Sequence, residues 1–329
     1  MKNNITNDII FSPRNNFKHE PDVNKFYDTI VIGTGVSGYS SAMYAARLGL
    51  KVLIIGEVPG GTLVETGRVE NYPGFISIPG QKLTELMENH AMDYDVDFLI
   101  DIVNKITKTK KGFKVLVGSL TFSSKTIIYA TGSKVKHLNI PGEKEFMGRG
   151  VNYCALCDAA YIKGKIVALA GGGDSAVKEA ILVTEYAKKV FIVNNESELH
   201  PEHHNQKILD ELVKKRKIEV INNNEIVEIK GNKTVNNILL KKPYKKNKQL
   251  NVEGVFVYIG HIPRSELAKE LGVKINKKKE IIIDKKSQTN IKGFFAAGDV
   301  TDVDWKQAII GVSQAVTASF YAYQYCKKN

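Results

Sequence analysis

Cysteine is scarce in this sequence: 329 residues contain three, Cys154, Cys157 and Cys326. So low and odd a count excludes a small scaffold stapled by disulfides. Long apolar runs are also missing. None reaches the roughly 20 residues that cross a bilayer, which excludes a membrane-spanning helix and argues against a membrane partner. The stretch from Met1 to Asn24 is polar and has no apolar core of the kind a secretory signal requires. The expected location is therefore the cytoplasm, and residues 1–24 are expected to form a flexible extension. No Pro- or Ser-rich linker divides the chain. Acidic residues are in deficit, 35 Asp and Glu against 47 Lys and Arg, for a formal net charge of +12. Such an excess suits nucleic acid or an acidic protein partner. No nucleic-acid recognition module accompanies it, so no nucleic-acid partner is expected. Lysine, asparagine and isoleucine are abundant throughout, and compositional bias accounts for the charge equally well. The densest run, Lys241-Lys242-Pro243-Tyr244-Lys245-Lys246-Asn247-Lys248, falls between two strand-like segments and reads as a solvated hairpin loop.

What the chain does contain is a full complement of core-forming residues, 43% hydrophobic against 25% charged, in a length that suggests about two domains. Tyr27-Asp28-Thr29-Ile30-Val31-Ile32 is a short β-branched strand. It runs into Gly33-Thr34-Gly35-Val36-Ser37-Gly38, after which Tyr39 to Leu48 is helix-like and Gly49 closes the helix. Lys51 to Ile55 is the next strand, completing a βαβ unit. In Gly33-x-Gly35-x-x-Gly38 the first glycine permits a tight turn. The second lets a pyrophosphate approach the backbone, and the third lets helix and strand pack closely, so that the phosphate meets the positive end of the helix. A glycine turn without ligand is the bland alternative, and the position between strand and helix favours the nucleotide reading. The acid that usually holds a ribose at the end of the second strand is displaced: Gly56 stands there and Glu57 follows.

The pattern returns 138 residues later (171 − 33). Lys165 to Ala170 is a strand, Gly171-Gly172-Gly173-Asp174-Ser175-Ala176 the turn, Val177 to Ala187 a helix, and Val190 to Val193 the next strand. The expected fold class is therefore α/β, with two Rossmann-like three-layer dinucleotide-binding domains. A site for NADPH needs arginine near the end of that second strand to hold the 2′-phosphate. Here the segment is Asn194-Asn195-Glu196-Ser197-Glu198. Its carboxylates repel a phosphate and can accept from a ribose 2′-hydroxyl, which favours NADH over NADPH. An empty fold retained as structure is the other reading.

Cys154-Ala155-Leu156-Cys157 gathers two of the three cysteines. A Cys-x-x-Cys pair just ahead of a helix can have a lowered thiol pKa and exchange disulfides readily. Asp158 follows directly and is placed to move a proton. Zinc is the competing reading, but a structural zinc needs four ligands and no second pair exists. His200, His203 and His204 lie far along the chain without ligand spacing and read as surface residues, so no metal is expected. Cys326, in the tail, reads as a bystander. Thr126 to Gly132 is a strand ending in a small-residue turn, Gly298-Asp299 ends another, and Trp305 to Lys327 is helical.

Taken together, these segments resemble the low-molecular-weight thioredoxin reductases, flavoproteins of the pyridine-nucleotide-disulfide oxidoreductase type. The likeness runs from about Tyr27 to Tyr325 and rests on Gly33 to Tyr39, Gly60 to Leu63, Val69 to Gly74, Ala130-Thr131-Gly132, Cys154 to Asp158, Gly171 to Ala176 and Ala296 to Val300. The resemblance implies an FAD domain in two pieces, 25–137 and 260–329, with the dithiol domain, 138–259, inserted in it. By the same resemblance Gly33, Gly35, Val36, Ser37 and Gly38 cradle the FAD pyrophosphate. Gly56, Glu57, Gly61, Thr62, Leu63, Asn71, Val103, Thr131 and Gly132 line the rest of the cofactor. Asp299 binds the ribityl chain, and Lys306, Gln307 and Ala308 sit near the flavin ring. Gly171, Gly173, Asp174, Ser175, Ala176 and Glu196 mark the second nucleotide site. Cys157 faces the flavin, Cys154 attacks the disulfide of thioredoxin, and Asp158 is the general acid. A homodimer and a large rotation between domains are implied as well.

Two departures stand out. Thr62 replaces a glutamine in the family's Gly-Gly-Gln-Leu stretch. Asn194-Asn195-Glu196 replaces the His-Arg-Arg segment that reads the NADPH phosphate, and some members of the family draw electrons from reduced ferredoxin instead. The expected activity is therefore FAD-dependent reduction of thioredoxin with NADH, or an acidic protein such as ferredoxin, as the donor. An FAD-dependent small-molecule dithiol oxidase is the second reading, and a non-catalytic FAD-binding protein the third.

Overall fold

A computed structural model of the chain describes residues 19–66, 69–153 and 162–328. Along the first part of the chain the elements are β1 (Phe26–Ile32), α1 (Val36–Arg47), β2 (Val52–Ile55), a 3₁₀ turn (Gly61–Glu65), α2 (Gly80–Met92), β3 (Val96–Leu99), β4 (Val103–Thr109), β5 (Gly112–Val117) and β6 (Leu120–Tyr129). The chain then leaves through β7 (Ser133–Val135). It continues with β8 (Val151–Asn152), β9 (Ile166–Ala170), α3 (Asp174–Val183), β10 (Lys189–Val193), α4 (His203–Lys214), β11 (Ile218–Ile221), β12 (Ile226–Gly231), β13 (Val235–Tyr244), β14 (Asn247–Leu250) and β15 (Gly254–Val257). It comes back through β16 (His261–Pro263), which pairs with β7, to α5 (Glu266–Glu270), β17 (Phe294–Ala296) and α6 (Ala308–Lys328). Two compact units result: Met1–Lys134 with Pro263–Asn329, and Val135–Ile262.

In the first unit β2, β1, β6 and β17 run parallel, with β3 beside β2. Side chains alternate across a strand, and the core divides accordingly. Tyr27, Ile30, Ile32, Leu53, Ile55, Ile127, Tyr129, Phe294 and Ala296 face the antiparallel β4–β5 side. Val31, Val52, Ile54, Ile128 and Phe295 face α1 and α6. Both faces are covered, which is why the second half of β1, Ile30-Val31-Ile32, is apolar on both faces rather than alternating. Apart from Tyr39, the buried residues along α1 are small: Ser37, Gly38, Ser40, Ser41, Ala42 and Ala45. They let α6 come close enough for Ser319 Oγ to donate to the Ser41 carbonyl at 2.9 Å. The chain engages this unit from His19, whose carbonyl accepts the Phe98 N–H at the outer edge of β3, 3.1 Å away. Lys25 and Tyr27 complete that attachment by donating to the buried Asp97 at 2.8 and 2.6 Å.

The second unit repeats the plan with the strand order β11-β10-β9-β15-β8, all parallel. Val167, Leu169, Val190 and Ile192 face the helices. Ala168, Ala170, Phe191 and Val193 face the three-stranded β12–β13–β14 sheet. Each unit is thus a parallel sheet between a helical layer and an antiparallel layer, and the fold class is that of two Rossmann-like domains. The run Lys241 to Lys248 spans the β13–β14 hairpin, in which Lys245 and Lys246 take positive φ at the turn.

Candidate functional site

In an open parallel sheet, ligands bind beyond the carboxyl ends of the strands, where helix N-termini collect. In the first unit β1 ends there in the Gly33–Gly38 turn. Gly33 has φ of +116°, and a Cβ on it would lie 2.2 Å from the Ala130 carbonyl oxygen. A Cβ on Gly38 would lie 1.8 Å from the Gly33 oxygen. These two glycines are required by the fold itself. Gly35 differs: a Cβ there would meet nothing nearer than the Gly61 Cα at 3.8 Å. Gly35 is the N-cap of α1 and no side chain caps the helix, whose first turn, including Val36 and Ser37, carries no acidic residue. Free N–H groups and the positive end of the helix dipole make this turn fit a pyrophosphate.

Gly56 at the end of β2 explains the displaced acid. A Cβ on it would lie 2.5 Å from Thr34 Oγ1, itself hydrogen-bonded to the Val58 carbonyl at 2.9 Å. Glu57 therefore takes the next position, exposed, with Arg264 at 3.7 Å. Gly61, Thr62 and Leu63 form the 3₁₀ turn against Gly35, and Leu63 packs into a small cluster around Val69, Ile78 and Leu83. Val103 is a core residue of β4. Thr131 and Gly132, beyond β6, hold the returning chain: Thr131 Oγ1 donates to the Arg264 carbonyl at 2.8 Å, and the Arg264 N–H to the Gly132 carbonyl at 3.0 Å.

The entrance to α6 joins the same region. Cβ atoms on Gly298 and Gly311 would lie 2.4 and 2.5 Å from Ser37 Oγ, so the first turns of α1 and α6 abut. Asn71 Nδ2 donates to Gln307 Oε1 at 2.9 Å, joining positions 236 residues apart. Asp299 lies in the turn before α6, half-buried, and Ala308 is the first residue of the helix. Lys306 sits beside them, but its ammonium is held by the carbonyls of Asp299 and Thr301 and by Glu280. It braces the turn rather than presenting a free charge. Two organising residues escaped the sequence reading. Gln314 Oε1 accepts from the Gly298 N–H at 2.8 Å and from Thr301 Oγ1 at 3.2 Å, which holds the turn to the helix. Glu280 closes the charged run Lys277 to Glu280 and is nevertheless only 8% exposed. Neither carries a local signal, because each acts on residues distant in the chain.

In the second unit Gly171 has φ of +137° and abuts the Tyr258 carbonyl, 2.2 Å from where a Cβ would stand. Gly173 faces open space and is the N-cap of α3, which no side chain caps. Ser175 is exposed and Ala176 buried. Asp174 turns its carboxylate to the start of α4, accepting from the Glu202 N–H at 2.7 Å and Asn205 Nδ2 at 2.8 Å. The loop after β10 folds beside the glycines: the His200 N–H donates to the Gly172 carbonyl at 2.8 Å. Asn194 is buried and braces this loop, donating to the Glu198 carbonyl at 2.7 Å. Glu196 projects outward and pairs with His200 Nε2 at 2.8 Å. Cys154, Cys157 and Asp158 lie outside the described residues.

Glu179, on α3, hydrogen-bonds with Tyr258, and burial pushes its carboxyl up to about 6 against the pull of Lys178 and of that hydrogen bond. A carboxyl raised on folding stabilises fully only below its unfolded pKa, and the contribution is lost as pH rises through the folded value. Relative to Glu179→Gln, the protein should therefore lose on the order of 1–2 kcal/mol between pH 4.5 and 6.5. Urea unfolding across that window measures it, and a flat difference would contradict the shift. The glycines predict a second contrast. Gly38→Ala should destabilise the protein by about 3 kcal/mol or more in thermal or urea unfolding. Gly35→Ala should leave the unfolding of the ligand-free protein unchanged while weakening retention of a bound dinucleotide. Equal stability losses in the two variants would show that Gly35, too, is only a packing residue.

Comparison with known proteins agrees with this geometry. The model of the pyridine nucleotide-disulphide oxidoreductase family matches residues 27–315. A thioredoxin reductase of Listeria innocua is 36% identical over 307 residues, covering 92% of this chain and 95% of that protein. The crystal structure of Lactococcus lactis thioredoxin reductase superposes with a TM-score of 0.87 at 34% identity, covering 92% of this chain and all of the other. A ferredoxin-flavin thioredoxin reductase from Clostridium acetobutylicum is 27% identical with a TM-score of 0.51, over 92% of this chain and 98% of its own. With both glycine turns opening helices at the carboxyl ends of parallel sheets, the chain belongs to the pyridine nucleotide-disulphide oxidoreductase family and is a thioredoxin reductase-like flavoprotein oxidoreductase.

Proposed function

We propose that this chain reduces thioredoxin through FAD and the Cys154/Cys157 dithiol, with an electron donor other than NADPH. The observation that carries the donor reading is the loop beside the second glycine turn. From Asn194 to Glu202 it contains no lysine or arginine, and Glu196, Glu198 and Glu202 stand in it. A 2′-phosphate brought there would meet carboxylates with no cation of that loop to hold it. An unphosphorylated dinucleotide is compatible with the uncapped start of α3 and the open space at Gly173. A reduced, acidic protein donor is the second candidate, favoured by the Clostridium relative's description and by the net charge of +12.

When bound, FAD supplies the two-electron store between donor and dithiol. The N–H groups at the start of α1 would hold its pyrophosphate, with Gly35 leaving room for the approach, and Asn71 and Gln307, hydrogen-bonded to each other, would help to orient it. In the outgoing half-reaction the Cys154 thiolate attacks a disulfide sulfur of thioredoxin, and Asp158 delivers a proton to the departing thiolate. The Cys157 thiolate then attacks Cys154, releasing the second thioredoxin thiol and leaving the Cys154–Cys157 disulfide to be reduced again.

Anaerobic mixing of the purified protein with NADPH, NADH or reduced ferredoxin, followed at the oxidised-flavin absorbance, tests the donor. Bleaching by NADH or ferredoxin is expected, and rapid bleaching by NADPH would overturn the assignment. Asn195→Arg combined with Glu196→Arg should raise kcat/KM for NADPH by about tenfold or more, the effect of one good charge-assisted contact. Cys157→Ser should abolish thioredoxin reduction while FAD remains bound, and full activity in that variant would rule out the dithiol route.

A further inference from the structure

Lys306 stands two residues ahead of α6. An ammonium group has three hydrogens, and three oxygens receive them: the Thr301 carbonyl at 2.7 Å, Glu280 Oε1 at 2.9 Å and the Asp299 carbonyl at 3.1 Å. None remains for a ligand. Glu280 is held as firmly. Its Oε2 accepts from Asn276 Nδ2 at 2.6 Å, and its own N–H donates to Asn276 Oδ1 at 3.0 Å. Burial by itself would raise a carboxyl of this kind, but the hydrogen bond from Asn276 and the Lys306 ammonium outweigh it and hold Glu280 below the usual range, in its charged form. The next residue joins the same turn through the backbone. The Ile281 N–H donates to the Val300 carbonyl at 2.8 Å, and the Asp302 N–H to the Ile281 carbonyl at 2.9 Å. The side chain of Glu280 and the backbone of Ile281 thus grip one turn, Gly298 to Thr301, which itself rests on Ser37 in the first turn of α1.

The electrostatic consequence follows from where this clamp sits. Two helix N-termini meet here, each with no acidic residue in its first turn, and each contributes partial positive charge. Reduction adds negative charge to a bound flavin. A full, uncompensated positive charge beside those dipoles would favour the reduced cofactor and raise its potential. Glu280 supplies the cancelling charge.

We propose that Glu280 is a positioning residue for the redox cofactor: through Lys306 it clamps the Gly298–Thr301 turn at the entrance to α6 and neutralises the lysine, keeping the reduction potential of the bound FAD low. A low potential is what a cofactor that must deliver electrons to a disulfide requires. The proposal rests on the reading of this region as the FAD site and is independent of which donor or thioredoxin is used.

The test is the midpoint potential of the bound flavin, measured by dye equilibration on the purified holoenzyme together with the flavin bound per chain. Glu280→Gln keeps the volume and the bond to Asn276 but leaves Lys306 uncompensated, so the potential should shift upward with flavin still bound. The double variant Glu280→Gln, Lys306→Met carries neither charge, and its potential should return toward that of the unmodified protein. A milder variant, Glu280→Asp, draws the carboxylate back from Lys306 and should give a smaller shift of the same sign, which keeps the test available if Glu280→Gln does not fold. Unshifted potentials in the single variants, or a double variant shifted as far as Glu280→Gln, would overturn the electrostatic role. An unmodified protein that binds no flavin would instead overturn the FAD reading beneath it.

Discussion

The approach of Gly38 to the carbonyl of Gly33 is the constraint on which the first unit depends. With a hydrogen in place of a side chain, α1 starts directly over the end of β1, and its unpaired N–H groups sit at the carboxyl end of the sheet. Helix position, anion site and the packing of α6 on α1 all follow from that one close contact. Ser37, one residue before Gly38, has Gly298 and Gly311 against it, so the last third of the chain is seated on the first turn of the first helix. The second unit shares a different contact with the first: Gly171 abuts the Tyr258 carbonyl as Gly33 abuts that of Ala130, which brings the ends of β9 and β15 together under α3, while Ala176 stands where the first turn has Gly38.

The two units resemble each other in layers and differ in the charge at their glycine turns. At the first, no formal charge occupies the opening turn of either helix, and Lys306 is neutralised by Glu280. At the second, Asp174 lies in the opening turn of α3 and Glu196 projects from the adjoining loop. On a common backbone, specificity resides in the side chains added to the turn rather than in the turn itself, and those side chains differ between the two units. The Asn194 side chain fills the space next to Gly172 and hydrogen-bonds along the loop, so the loop is held without an arginine or lysine of its own.

Much of the fold was legible in the sequence because its signals are local. Strand, glycine turn and helix follow one another at both βαβ units, and the apolar runs Ile30–Ile32 of β1 and Ile166–Ala170 of β9 match strands covered on both faces. The displacement of the acid from position 56 to 57 was visible too, but its reason was not, since it lies in Thr34 on another segment. The pairings that finish the site were hidden for the same reason. Asn71 with Gln307, Thr131 with Arg264 and Lys306 with Glu280 join stretches that only the closed sheet brings side by side. Glu280 in particular ends a polar run that has every mark of a solvated surface.

By itself, the sequence displayed two glycine turns of the nucleotide-binding type, a Cys-x-x-Cys-Asp motif, and a loop after the second βαβ unit without lysine or arginine. Those features are contiguous, so composition and spacing suffice to express them. Only the tertiary structure decided how the charges at the cofactor end are balanced. An ammonium group's effect depends on which oxygens surround it, and those of Asp299, Thr301 and Glu280 reach Lys306 from a turn and a separate strand-like segment that the fold draws together.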